Sequence, residues 1–151
     1  MGSGQDLVAE CMACDRARQP FRFRPVIAVD FDGVIASWRL GSFDTPGPPI
    51  PGAKQFLENL RESGSVMIYT SRCTEEYYKP QKASTLRQAV AYYMETHDLP
   101  YDEIWTGQGK PLAGVYIDDR AIRCCPEADE LAYGRTEAMV MQIIAANKEE
   151  Q

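Results

Sequence analysis

Val26-Ile27-Ala28-Val29-Asp30-Phe31-Asp32-Gly33-Val34 is the stretch on which the fold turns. Four apolar residues run into two carboxylates, and a glycine then breaks the run. That is the pattern of a buried strand ending in a tight turn. Asp30 and Asp32 therefore stand at the C-terminal edge of the strand, where open α/β sheets bind their ligands. Neighbours on a strand point to opposite faces, so Asp30 and Asp32 are predicted to share a side while Phe31 packs the other way. Two carboxylates this close repel unless a cation lies between them or one holds a proton, and either solution points to chemistry.

Working outward, residues 35–51 are punctuated by Gly41, Gly47 and prolines at 46, 48, 49 and 51. They read as a loop, and their place beside the aspartates makes them a candidate flap. Trp38, Arg39, Phe43 and Asp44 are its candidate substrate contacts, although Trp38 and Phe43 suit pinning the loop down equally well. Ala53 to Ser63 is predicted helical, with Phe56, Leu57 and Leu60 on one face and Gly64 as the stop. A second strand runs from Ser65 to Thr70 and leads into Ser71-Arg72. A helix from Ser84 to about His97 should turn Leu86, Val90, Tyr93 and Met94 inward. Glu103-Ile104-Trp105 reads as a short strand, and residues 107–111 as a loop carrying Lys110. The strand Gly114–Ile117 runs into a second carboxylate pair, Asp118-Asp119, and a helix from Thr136 to Lys148 follows. Strands that alternate with helices imply an α/β, Rossmann-like, doubly wound and mainly parallel sheet. In such a sheet Asp30, Asp32, Thr70, Asp118 and Asp119 gather on one rim.

The chain has 151 residues, with 44% hydrophobic and 25% charged, which suits one globular domain over residues 25–151 behind a flexible leader, 1–24. A net charge of -6 opposes an extended nucleic-acid-binding surface, although Arg16, Arg18, Arg22 and Arg24 form a local basic approach to the first strand. No apolar run reaches the length of a membrane span, and the N-terminus lacks a signal-peptide pattern. Five cysteines are an odd count for a disulfide framework, so a reducing cytoplasm is expected. Cys11-x-x-Cys14 with Cys124-Cys125 leaves a structural zinc open as an alternative.

Carboxylates on one rim without a His/Cys cluster suit a hard cation such as Mg²⁺. A hydroxyl and a lysine nearby supply what a phosphoryl group needs, a hydrogen-bond donor and a positive charge on its oxygens. One aspartate can attack phosphorus to form an aspartyl-phosphate. A second can give a proton to the leaving oxygen and later take one from water. The residues thus point to metal-assisted phosphoryl chemistry on a phosphorylated small molecule, a nucleotide or a nucleic-acid end.

Asp30-Phe31-Asp32-Gly33-Val34, then Tyr69-Thr70-Ser71, then Lys110, then Tyr116-Ile117-Asp118-Asp119, resemble the four ordered motifs of the haloacid dehalogenase-like hydrolases. The resemblance covers roughly residues 26 to 125. It implies that Asp30 is the nucleophile and a Mg²⁺ ligand, and that Asp32 is the general acid/base with its backbone carbonyl on the metal. It further implies that Thr70 binds the transferred phosphoryl, that Lys110 offsets charge on it, and that Asp118 and Asp119 complete the metal site. Gly33, Ser71, Arg72, Trp38 and Arg39 are the expected substrate contacts. Arg72 suits a second substrate anion or a surface ion pair. An aspartate two residues after the nucleophile is the phosphatase-type pattern. The gaps between motifs hold no separate cap domain, which resembles the capless branch. There the open site takes macromolecular substrates or borrows a lid from a partner subunit, so a homo-oligomer is among the expected partners. A polynucleotide-end phosphatase and a non-catalytic metal- and phosphate-binding module are the alternatives.

Overall fold

The computed structural model describes residues 24–74, 83–106 and 108–149. Cys11, Cys14, the leader up to residue 23 and the Tyr77-Tyr78-Lys79 segment lie outside the described residues. The chain divides into two compact units, one spanning Phe21–Asp119 and one that takes in Arg120–Gln151.

In the first unit, β1 (Val26–Val29), β2 (Ser65–Ile68), β3 (Glu103–Ile104) and β4 (Val115–Ile117) form an all-parallel sheet in the order β3-β2-β1-β4. The α/β, Rossmann-like class expected from the sequence is therefore the one observed. The chain builds β2 and β3 to one side of β1, then crosses to the other side for β4. That reversal creates a switch point between the C-terminal ends of β1 and β4, the place where sheets of this kind hold ligands.

One face of the sheet carries the core. Ile27 and Val29 share it by strand parity, together with Val66 and Ile68 of β2, and Phe31 just past β1 joins the same core. Against it pack Ala53 and Leu57 of α1 (Ala53–Ser63) and Val90, Tyr93 and Met94 of α2 (Ala83–Thr96). Leu57 is fully buried whereas Phe56, its predicted companion, lies near the helix edge and is 36% exposed. Phe31 meets Tyr93 edge to face at 4.9 Å between ring centroids, a geometry that adds about 0.5–1.5 kcal/mol to the area buried. Cys73 also lies in this core, where burial pushes its thiol up to about 11. It is a packing residue, protonated at neutral pH.

The 37–48 loop is closed at its base. Ala36 bridges to Pro49, the Ser37 amide donates to the Pro48 carbonyl at 2.9 Å, and the Ile50 amide donates to the Ile35 carbonyl at 2.8 Å. A side chain at Gly47 would press on the Ser37 carbonyl, so the two arms approach this closely only with glycine there. The buried Tyr93 hydroxyl donates to the Gly47 carbonyl at 2.7 Å and ties that arm to α2.

In the second unit, α3 (Ala132–Glu149) starts four residues before the predicted Thr136. Asp129 explains the difference. Its Oδ1 accepts the Leu131 amide at 3.0 Å, its carbonyl accepts the Ala132 amide at 3.1 Å, and its carboxylate pairs with Arg135, so the chain is turned into the helix at Ala132. Among the described residues no disulfide involves Cys124 or Cys125. Among the described residues no helix is long and apolar enough to cross a membrane.

Candidate functional site

The register of the sheet dictates which residues meet. Val29 pairs with Ile68 on one side and Ile117 on the other, so Asp30, Tyr69 and Asp118 follow at one level on three adjacent chains. The Asp30 amide donates to the Ile117 carbonyl at 2.8 Å, and the Tyr69 amide donates to the Val29 carbonyl at 3.0 Å. The result is a group of three carboxylates, Asp30, Asp118 and Asp119, whose oxygens lie within 4.8 Å of one another. These three fit an all-oxygen cation site at the switch point.

Electrostatics mark Asp30 as the odd member. It is half-buried, and its pKa is pushed up to about 7, first by burial and then by the neighbouring charges of Asp118 and Asp119. The Phe31 amide, which donates to Asp30 Oδ1 at 2.8 Å, opposes that rise. Concentrated negative charge in a partly desolvated pocket is relieved by a proton or by a cation.

Tyr69 was not singled out from the sequence, yet its hydroxyl donates to Asp118 Oδ2 at 2.6 Å. Burial and this bond raise the phenol well above its ordinary value, so Tyr69 stays a donor at any physiological pH. Its ring meets Tyr116 edge to face at 6.1 Å, and the Lys110 ammonium sits 4.4 Å from the centre of the Tyr116 ring. The signal available beforehand was positional: a hydroxyl-bearing aromatic just past β2, level with the two acidic strand ends. Groups that orient ligating carboxylates affect metal affinity strongly. Tyr69→Phe is expected to weaken Mg²⁺ binding by about tenfold, measured by titrating the metal into the chelator-stripped protein.

Gly33 lies in the turn after β1 with φ +80°, a conformation that side chains rarely adopt, and a Cβ there would run into the Asp119 carboxylate. It is a wall of the acidic group. Gly33→Ala is expected to cost about 1–3 kcal/mol, read as a drop in melting temperature, and to weaken Mg²⁺ binding by displacing Asp119.

Asp32 is not part of this group of three carboxylates. β1 ends at Val29, and the chain then winds up around the Phe31 carbonyl, which accepts the amides of Val34, Ile35 and Ala36 at 3.4, 2.9 and 3.0 Å. Strand alternation no longer applies past that point. The Asp32 carboxylate meets Arg72 bidentately: Nε donates to Oδ2 at 2.7 Å and Nη2 to Oδ1 at 2.8 Å. The side chain of Arg72 is 8% exposed, so its ion pair is internal and not the surface pair that was one of its two expected roles. Thr70 is buried, and its Oγ1 accepts the Arg72 amide at 3.1 Å, capping the 3₁₀ turn Ser71–Cys73. Ser71 and Arg39 are exposed, and Trp38 packs edge to face on Phe43 at 5.1 Å. The structure thus unites Asp30 with Asp118 and Asp119, joins Asp32 to Arg72, and sets exposed Lys110 on the tyrosine pair.

No protein-family model, curated protein or solved structure matches this chain.

Proposed function

We propose that this protein is a Mg²⁺-dependent hydrolase of phosphomonoesters, acting on a small phosphorylated molecule or nucleotide through an aspartyl-phosphate. The observation that carries the proposal is the grouping of Asp30, Asp118 and Asp119 at the switch point, with Asp30 the most electrostatically stressed. The order of motifs, which resembles that of capless haloacid dehalogenase-like phosphatases, supports it. Asp30, Asp118 and Asp119 are the residues that would hold the cation. When bound, a divalent cation offsets the charge of these carboxylates and of the phosphoryl oxygens.

A free oxygen of Asp30 attacks phosphorus. The Asp30–phosphorus bond forms, the ester bond breaks, and the leaving oxygen takes a proton from an acid. Water then attacks the aspartyl-phosphate, gives its proton to a base, and releases inorganic phosphate with the Asp30 carboxylate restored. Asp32 is the candidate for that acid and base, as the resemblance implies. Each of its oxygens is held by one hydrogen bond from Arg72 and keeps capacity for another. Lys110 supplies positive charge on the same side of the molecule as Tyr116 and Tyr69.

The test is hydrolysis of an aryl phosphate by the full chain with Mg²⁺ and with EDTA, followed by a panel of phosphorylated metabolites, nucleotides and 3′- or 5′-phosphorylated oligonucleotides. Turnover that EDTA abolishes and Mg²⁺ restores is the expected result. Mg²⁺ binding without turnover on any member of the panel would replace the enzyme with a metal- and phosphate-binding module.

A further inference from the structure

Arg72 has few routes by which it could be idle. It is buried at 7% exposure, and four of the five N–H bonds that a guanidinium carries are committed. Two go to Asp32, as described. The others reach the 37–48 loop: Nη1 donates to the Phe43 carbonyl at 2.7 Å and Nη2 to the Ser42 carbonyl at 2.6 Å. One cation therefore joins a carboxylate just past β1 to the backbone of the loop beside it. A buried charge stripped of a partner is costly, so the bonds on the two sides of the guanidinium support each other.

We propose that Arg72 is a positioning residue that locks the Asp32 carboxylate and the 42–43 backbone into one unit. The loop bearing Trp38, Arg39 and Phe43 cannot leave the site without releasing Asp32, and Asp32 cannot turn without releasing the loop. The lock is held from two directions, because Tyr93 fixes the Gly47 carbonyl at the loop's other arm. What the lock does for turnover rests on the phosphatase proposal; the lock itself does not.

The loop contains its own reporters. The Gly41 amide donates to the Trp38 carbonyl at 3.3 Å, the Ser42 amide to the Thr45 carbonyl at 2.8 Å, and the Thr45 amide to Ser42 Oγ at 3.1 Å. Amide hydrogen exchange of the full chain should show Gly41, Ser42 and Thr45 protected. Arg72→Gln and Asp32→Asn should each speed their exchange about tenfold or more, with β1 and β2 amides changed less than about twofold. The double variant should be no faster than either single one, since both open the same lock. Arg72→Lys, which keeps the charge but cannot span four acceptors, should restore only a minor part of the protection. Tryptic cleavage after the exposed Arg39 should rise in parallel.

Single effects that add in the double variant would overturn the proposal. So would unchanged loop exchange, or exchange that rises equally in the core strands. If Arg72→Gln fails to fold, Asp32→Asn and Arg72→Lys carry the same comparison. The kinetic arm separates the lock from the phosphatase assignment. With turnover present, Arg72→Lys should lower kcat more than it alters KM. An inactive wild type with the expected exchange pattern retains the lock and removes the phosphatase; an active wild type with unchanged loop exchange does the reverse.

Discussion

Asp30→Asn is expected to lower turnover of an aryl phosphate by on the order of 10⁴-fold or more, the largest effect of any single change in the chain. Two losses coincide in that one substitution. The amide has no anionic oxygen with which to attack phosphorus, and the group formed by Asp30, Asp118 and Asp119 drops to two carboxylates. The same substitution should raise the melting temperature of the metal-free protein at pH 8, because it removes a half-buried charge that repels two neighbours. Losing function while gaining stability is the signature of a site built around strain. A destabilised Asp30→Asn protein, or one that keeps turnover, would count against Asp30 as nucleophile. Steady-state kinetics and a thermal melt of the same preparation decide both halves.

The second large effect is a dependence of stability on pH that Mg²⁺ reverses. In the folded chain Asp30 holds its proton up to about pH 7, whereas an unfolded aspartate releases it near about 3.9. Between those values the folded form binds more protons than the unfolded form, so stability falls as pH rises through the window and the cost is complete above it. The metal-free protein should therefore melt at a lower temperature at pH 8 than at pH 5.5, as far as Asp30 determines it. A cation competes with the proton for the same oxygens, so Mg²⁺ should stabilise more at pH 8 than at pH 5.5. At a hundredfold excess over its dissociation constant the gain is about 2.7 kcal/mol, or on the order of 5–10 °C for a chain of this size. Melts with EDTA and with Mg²⁺ at the two pH values test it. A cation effect equal at both would detach the site from Asp30.

Much of this arrangement was legible in the residues themselves. The Val26–Val29 run ending in Asp30, and the Val115–Ile117 run ending in Asp118-Asp119, carried both the parallel sheet and the acidic group, because apolar runs that stop at carboxylates fix strand ends. The helix over Ala53–Ser63 was readable to the residue from its apolar spacing and Gly64. Asp32 stands outside the acidic group, paired with Arg72, and the sequence pattern did not show that pairing. The two-residue alternation that paired it with Asp30 holds only while the chain stays extended, and the turn about the Phe31 carbonyl begins one residue past Asp30. Arg72 and Tyr69 were illegible in their partners rather than their presence. Which carbonyl a guanidinium reaches across a folded loop, or which carboxylate a phenol meets on the next strand, depends on tertiary placement that no local pattern encodes.

The switch point also has a consequence in time. Asp30 leaves the ribosome before Asp118 and Asp119, which emerge only after β2, α2 and β3 have been made. The acidic group is complete only once β4, the last strand of the sheet to be made, pairs with β1, a contact between segments far apart in sequence. If the group holds a cation as proposed, it would do so only in chains in which β4 has docked beside β1, and a one-residue slip of β4 would turn its side chains to the wrong faces. Metal capture would then act as a register check on newly made protein, adding stability to correctly threaded molecules and none to those that stop short.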